Sequence, residues 1–263
     1  MPEYPFTPQL LDVLPEELAE LFRSLEMFLL EEICSRLKAA DGLNQVTLDD
    51  IRALRAHGID LAGIERAIQE YAGIGSEKLA QLFDQVIAWN QAYYTAVLDM
   101  AELTRPVRLV NEWDVEAIRR QTGEAFTNIT QSLGFQVGRG AKKTLLPPGK
   151  AYQWALDNAA VQVQSGAVSY QQAISGAVKQ LADSGLKTVS WESGHTDQAD
   201  VAVRRAVMTG INQVNQKYRE QSMEYLQTDL VEVTAHRGAR DKDGPNGWEN
   251  HKKWQGKVYQ WKR

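Results

Sequence analysis

Apolar side chains recur at intervals of three and four residues over much of the sequence. One run is Leu18, Leu21, Phe22, Leu25, Phe28, Leu29, Ile33 and Leu37; another is Leu79, Leu82, Phe83, Val86, Trp89, Tyr93, Val97 and Met100. A helix gathers each set on one side, whereas a strand would scatter it over both faces. The pattern commits most of the chain to amphipathic helices, each with a stripe to bury. Pro15 suits the first turn of the earliest helix, which ends near Asp41-Gly42. Thr47 and Asp50 read as the N-cap and acidic first turn of a short helix that Gly58 stops, and a second short helix covers 60–71. Ser76 then caps the segment carrying the second stripe, up to the break at Arg105-Pro106. Asn111 or Asp114 opens a further helix to about Leu133-Gly134. Trp89, Tyr93 and Tyr94 sit at helical spacing beside Val86 and Val97 and read as core rather than as a ligand box.

The texture changes at 135–150, where Gly138, Gly140, Lys142, Lys143, Pro147, Pro148 and Gly149 interrupt any periodicity. The expectation is a loop, with 141–150 as a flexible basic linker between an N-terminal helical region (1–140) and a second region (151–263). Gly138-Arg139-Gly140 is too short for a dinucleotide fingerprint and no phosphate loop follows it, so no cofactor is expected. Helices are expected over 151–164, over 169–182 with a serine cap, and over 197–225, the last about 43 Å long. A short extended piece falls at 186–193. Alternating β-branched residues predict strands at 229–235 (DLVEVTA) and 257–261 (KVYQW). The fold class is thus mainly α, ending in a small β element. Two strands make a poor independent sheet, so another chain completes it, the helices support it, or the sequence is part of something longer.

Composition narrows the function. A single cysteine, Cys34, excludes an internal disulfide framework or a Cys-based zinc site. The opening Met1-Pro2-Glu3-Tyr4-Pro5 does not read as a secretory signal, and no stretch has the length of uncharged apolar sequence that spans a bilayer. Residues 236–263 carry a net charge of +5, against −10 for the rest of the chain. Trp248, Trp254 and Trp261 interleave there with lysines and arginines, a pattern that can track a phosphate backbone and stack bases. Arg237, Arg240, Lys252, Lys253 and Lys257 are the candidate contacts. The alternative is a basic strand region whose aromatics pack on a core.

Several strings occur in order in the last third: SGLKTV (184–189), SGH (193–195), DVAVRRAVMTG (200–210), DLVEVTAH (229–236), GAR (238–240), His251 and WQGKVY (254–259). Together they make residues 150–263 resemble the phage minor capsid protein 2 family, relatives of the Mu F-like head morphogenesis proteins. The N-terminal half is similar only in being helical. The resemblance makes Asp200, Arg204, Arg205, His236, His251, Trp254, Gln255 and Gly256 its motif residues. It implies a virion protein inside the head at or near the portal, made in the host cytoplasm and present in multiple copies. Portal protein, other capsid proteins and packaged DNA are the implied partners, and head assembly, with DNA packaging or ejection, is the implied role. The chain departs from the family in its longer 241–250 segment (DKDGPNGWEN), and it stops at Arg263 where relatives continue into a Cys- and aromatic-containing region.

Two other classes of function compete. His236 and His251, with Arg237, Arg240 and Lys252 nearby in sequence, have the residue types of a general base, a general acid and phosphorane-stabilising cations, as a metal-independent nuclease or toxin-like enzyme would need. The structural reading has the two imidazoles hydrogen-bonding across a strand pair instead. The other competitor is a helical scaffold or chaperone-like adaptor without nucleic-acid contact. Metal binding is not expected: His57 and His195 lie far from the other histidines, and Asp241-Lys242-Asp243-Gly244 lacks the later carboxylate of a calcium loop. Asp200 and Arg204 share a helix face four residues apart, with Arg205 about 100° further round, and the readings are a surface or interface ion pair, a bridge to the terminal β region, or simply a solvated helix face.

Overall fold

A computed structural model describes residues 3–38, 61–104, 106–138, 143–166, 168–189, 195–233, 235, 239–244 and 250–261. Its helices are α1 (Pro8–Val13), α2 (Glu16–Lys38), α3 (Leu61–Met100), α4 (Glu112–Gln131), α5 (Pro148–Gln164), α6 (Tyr170–Ser184) and α7 (Ala199–Tyr225). The strands are β1 (Gly134–Val137), β2 (Thr144–Leu146), β3 (Leu186–Val189), β4 (Thr196–Gln198), β5 (Leu230–Val233) and β6 (Lys257–Gln260). The fold is mainly α, and its small terminal β element is the antiparallel β5–β6 pair, in which Leu230 lies opposite Gln260 and Val233 opposite Lys257. The short helix expected to end at Gly58 lies outside the described residues, as do His57, Trp191, His236, Arg237 and Trp248.

The chain forms two compact units, each assembled from separated segments: 1–14, 83–118 and 210–263 make the first, and 15–82 and 119–209 the second. In the second unit α2 buries Leu18, Phe22, Leu25, Leu29 and Ile33, the predicted stripe. Helices α5 and α6 pack on each other through fully buried alanines, Ala151, Ala155 and Ala159 on one and Ala173 and Ala177 on the other. Small side chains at four-residue spacing let two backbones approach closely. Ser169 caps α6 in a complete capping box with Gln172, as the serine at that position predicted.

Two expectations fail here. The segment read as a loop contains β1 and β2, which join β3 and β4 in an antiparallel sheet of order β2-β1-β3-β4. These strands have three or four residues each, too few to display an alternation. β1 is further disguised because Phe135 and Val137 are both buried and Gly134 passes against the Leu146 carbonyl, where a Cβ would collide. Hydroxyls complete the sheet: the Gln136 N–H donates to Ser184 Oγ at 2.7 Å, and Ser132 and Thr188 share a short hydrogen bond.

The expected break at Gly73–Ser76 is also absent, because α3 runs unbroken for 40 residues. Ser76 donates its hydroxyl to the Ala72 carbonyl at 2.9 Å, satisfying itself within the helix instead of capping a new one. Gly75 lies directly against the Phe126 ring of α4, so its missing side chain serves packing rather than a turn.

In the first unit the second stripe holds only in part: Phe83 and Val86 are buried, but beyond them burial moves one position over to Asn90, Tyr94 and Leu98, leaving Met100 exposed, and Tyr94 stacks on Tyr218 of α7 at 6.4 Å between ring centres. Burial pushes the Tyr94 phenol up to about 12. Tyr4 and Phe6 meet Tyr93 and Trp89 edge to face at 5.2 and 6.0 Å. Between these aromatics the buried Asn90 amide donates to Asn215 Oδ1 at 2.7 Å and to the Val86 carbonyl at 2.9 Å. Its N–H donors are thus paired, while its Oδ1 is buried without a hydrogen-bond partner.

Adding a methyl group at the two α3 glycines is expected to give opposite results. Gly73→Ala, in open space, should stabilise by roughly 0.5–1 kcal/mol, since only backbone entropy changes. Gly75→Ala should destabilise by roughly 1–3 kcal/mol because Phe126 must move. Urea unfolding of the two variants measures the contrast.

Candidate functional site

Two clusters hold the residues singled out in the sequence, one in each unit. In the second unit, Glu16 and Glu17 occupy the first turn of α2 and Asp200 the first turn of α7, where the helix dipole favours carboxylates. Arg23, two turns into α2, places Nη2 2.5 Å from Glu16 and 2.7 Å from Glu20, and Nη1 3.3 Å from Asp200. Arg204 of α7 reaches back to the second Glu16 oxygen at 2.7 Å. Arg205, on the next face, pairs with Asp197 of β4 at 2.8 Å, and His195 approaches the same carboxylate at 3.4 Å.

The motif residues Asp200 and Arg204 therefore bridge to α2, where the sequence left open a pair with each other, a solvated helix face or a bridge to the terminal β region. The geometry explains this: Asp200 and Arg204 start α7, while the β element follows its far end. Glu16 and Arg23 escaped the sequence reading because they stand more than 170 residues away in the chain. The only hint was a pair of glutamates followed, on the same helix face, by an arginine.

Hydrogen bonds that it donates to Glu20 and then to Glu16 hold the Arg23 guanidinium above its usual range, against burial, which lowers it. The hydrogen bond to Arg23 in turn keeps the Glu16 carboxyl below the usual carboxylate range; burial opposes this and Arg204 adds to it. These side chains are nearly half exposed, so the network orients helices more than it stabilises them.

In the first unit the basic segment follows β5. His251 opens a one-turn 3₁₀ helix, His251–Lys253, with its N–H on the Arg240 carbonyl at 2.8 Å and its imidazole exposed. Lys252 pairs with Asp241 at 3.3 Å, and Lys253 pairs with Asp243. The supposed calcium loop thus spends its two aspartates on the two lysines next to His251. Arg240 and Lys257 are exposed and have no ion-pair partner among the described residues. Gly256, at φ +64°, turns the chain into β6, and its N–H donates to the Val233 carbonyl at 2.7 Å. A side chain would strain this corner of WQG. Trp254 leans on Tyr259 with ring centres 5.5 Å apart and stays partly exposed, while Trp261 lines a cavity of about 480 Å³ with Phe6, Arg219, Met223 and Val231. Both tryptophans stay partly exposed, Trp254 at 41% and Trp261 at 45%.

A second cavity, of about 880 Å³, opens in the other unit between α3, α4 and the start of α5, lined by Ile64, Ile68, Phe126, Leu133 and Lys150. Among the described residues there is no group of three or more His, Cys, Asp or Glu able to hold a metal ion, and no helix long and apolar enough to cross a membrane.

The sequence model of the phage minor capsid protein 2 family matches residues 6–262. This extends the likeness from the last third to nearly the whole chain, including the helices in which only helicity had been recognised. No curated protein and no solved structure matches the chain.

Because the folded state depresses the Glu16 carboxyl, its contribution is complete above the ordinary carboxylate pKa and is lost as pH falls through the folded value. Arg23→Ala is expected to return Glu16 upward toward that ordinary value and to make acid unfolding less steep. Carbon-detected NMR titration of the glutamate side chains reads the shift.

Proposed function

The chain belongs to the phage minor capsid protein 2 family, and from that premise we propose that it sits inside the head at or near the portal, helps assemble the head and contacts the packaged DNA. Its family makes it a structural component of a bacteriophage virion; the position and the DNA contact are our reading. One observation carries it: a net charge of +5 over 236–263, beside a body at −10, with Arg240 and Lys257 exposed and free of ion pairs among the described residues and Trp254 open beside them. An acidic body is repelled by DNA, while a basic, aromatic end is attracted to it. A protein so polarised orients itself, with its body toward neighbouring proteins and its end toward the nucleic acid.

The ion pairs made by Lys252 and Lys253 refine the contact set. These two lysines are already partly neutralised by Asp241 and Asp243, so phosphate contact falls first on Arg237, Arg240 and Lys257. Portal protein and neighbouring capsid subunits are the partners that this arrangement fits, with several copies in each particle. Charge neutralisation and base stacking are the interactions such a role draws on.

Fluorescence anisotropy on a short DNA duplex tests the contact. Affinity is expected to fall steeply between low and physiological salt, and Arg240→Glu combined with Lys257→Glu should reduce the slope of log K against log salt by about 2. Absence of binding at low salt, or a slope unchanged by the double variant, would remove DNA contact from the proposal.

A further inference from the structure

The cavity of about 480 Å³ in the first unit has in its lining a buried amide that is only half satisfied. Asn215 of α7 is 4% exposed. Its Oδ1 accepts from the Asn90 amide at 2.7 Å, and the second N–H of that amide donates to the Val86 carbonyl at 2.9 Å, which fixes how both side chains are turned. Asn215 Nδ2 is left on the cavity side, with no hydrogen-bond partner among the described residues. A buried donor without an acceptor is unfavourable, so an occupant that brings an acceptor gains from it. The rings around it are already held in place. Tyr4 and Phe6 meet edge to face at 5.7 Å, Tyr4 is braced by Tyr93 at 5.2 Å, and Phe6 is buried. Trp261 lines the open side, and its backbone N–H is held by the Asp229 carbonyl at 2.6 Å.

The charges in the lining select against an ionic occupant. They are Arg219, whose guanidinium donates to the Tyr4 and Tyr94 hydroxyls, and the carboxylates of Glu220 and Glu232, the first of which accepts from Gln216 at 2.8 Å. A phosphate or an acidic peptide would meet two carboxylates, and a cation would meet Arg219. A purely apolar group would leave Asn215 Nδ2 unpaired. A neutral flat ring that carries acceptors suits the whole lining, because it stacks on the aromatic side chains and accepts from the amide. A nucleobase is such a ring, and the volume lies within the range of about 300–1,000 Å³ usual for small-molecule pockets. Trp261 ties the cavity to the basic segment, four residues after the exposed Lys257. A strand whose phosphates follow that segment therefore carries its bases past the cavity.

We propose that this cavity receives one unpaired base of a DNA strand, which stacks against Trp261 and Tyr4 and accepts a hydrogen bond from Asn215 Nδ2. The inference rests on the reading of 236–263 as a DNA contact and adds that the contact favours unpaired bases over duplex. Bases within a duplex are already paired and stacked, and entering a pocket would require their extrusion. A single donor finds an acceptor on any base, so no sequence preference is expected.

Fluorescence anisotropy at low salt, with the purified full chain, tests this on two labelled single strands of about 12 nucleotides. One strand has a mixed sequence and the other carries abasic tetrahydrofuran residues throughout. Their phosphate charge is the same, so the ratio of the two affinities isolates the bases. Wild type is expected to bind the base-bearing strand tighter by about tenfold or more. Trp261→Ala and Asn215→Leu should each bring that ratio toward one, and circular dichroism shows whether each variant keeps its helices. Trp261→Ala removes a partly exposed ring and leaves the Asn90–Asn215 bond in place, so it decides the matter even where Asn215→Leu fails to fold. A wild-type ratio near one, or a ratio that survives either substitution in folded protein, would overturn the proposal and leave the phosphate contact standing. Failure of wild type to bind either strand would remove the DNA contact itself, and the base site with it.

Discussion

The absence of a side chain at Gly75 sets the course of the second unit. With glycine there, the Phe126 ring lies against the α3 backbone, and on its other side the ring meets Phe22 of α2 edge to face at 5.6 Å. Three helices are thereby drawn onto one aromatic contact. α3 also has to remain helical through a stretch whose composition, Gly-Ile-Gly-Ser, favours a turn. Packing of the one buried position, Gly75, against Phe126 offsets the weak local propensity while Gly73, Ile74 and Ser76 stay exposed, an instance of tertiary packing deciding what local sequence leaves open. A 40-residue helix results, and its later turns supply the stripe around which the first unit packs.

This also explains what the sequence made legible and what it hid. Long stripes such as Leu18 to Leu37 were readable because many residues report the same period. Ser169 announced a helix start for the same reason that it makes one, a hydroxyl and a glutamine three residues on satisfying free N–H groups. The β5 and β6 strands showed their alternation. β1 and β2 did not, because three or four residues, partly buried on both faces, carry no period. The glycines at 73 and 75 misled because a close contact and a turn ask for the same residue, and only the position of Phe126 distinguishes them. Of the site residues, Asp200 and Arg204 were found through their motif, but their partners Glu16 and Arg23 lie beyond the reach of any local rule.

The two clusters do different work. Around Glu16, Arg23, Asp200 and Arg204, charge is matched inside the protein, and the product is an alignment of two helix starts. Along 239–261 charge is matched only in part, since Asp241 and Asp243 take two lysines while Arg240 and Lys257 have no ion-pair partner among the described residues. Matched charge fixes the protein's own shape, and charge left unmatched among the described residues is available to something outside it. The family match over 6–262 gives this reading its context, because the helical segments and the basic hairpin fall within a single family module.

The central claim is that this minor capsid protein occupies the portal region with its basic end toward DNA. An asymmetric cryo-electron microscopy reconstruction of intact particles tests it most directly, because density that does not follow icosahedral symmetry is averaged away when that symmetry is imposed. The account predicts density for the long α3 and α7 helices inside the head against the portal, with the β5–β6 hairpin nearest the DNA. Particles that lack this density at the portal, or that show it with the hairpin turned into a protein interface away from DNA, would contradict the account.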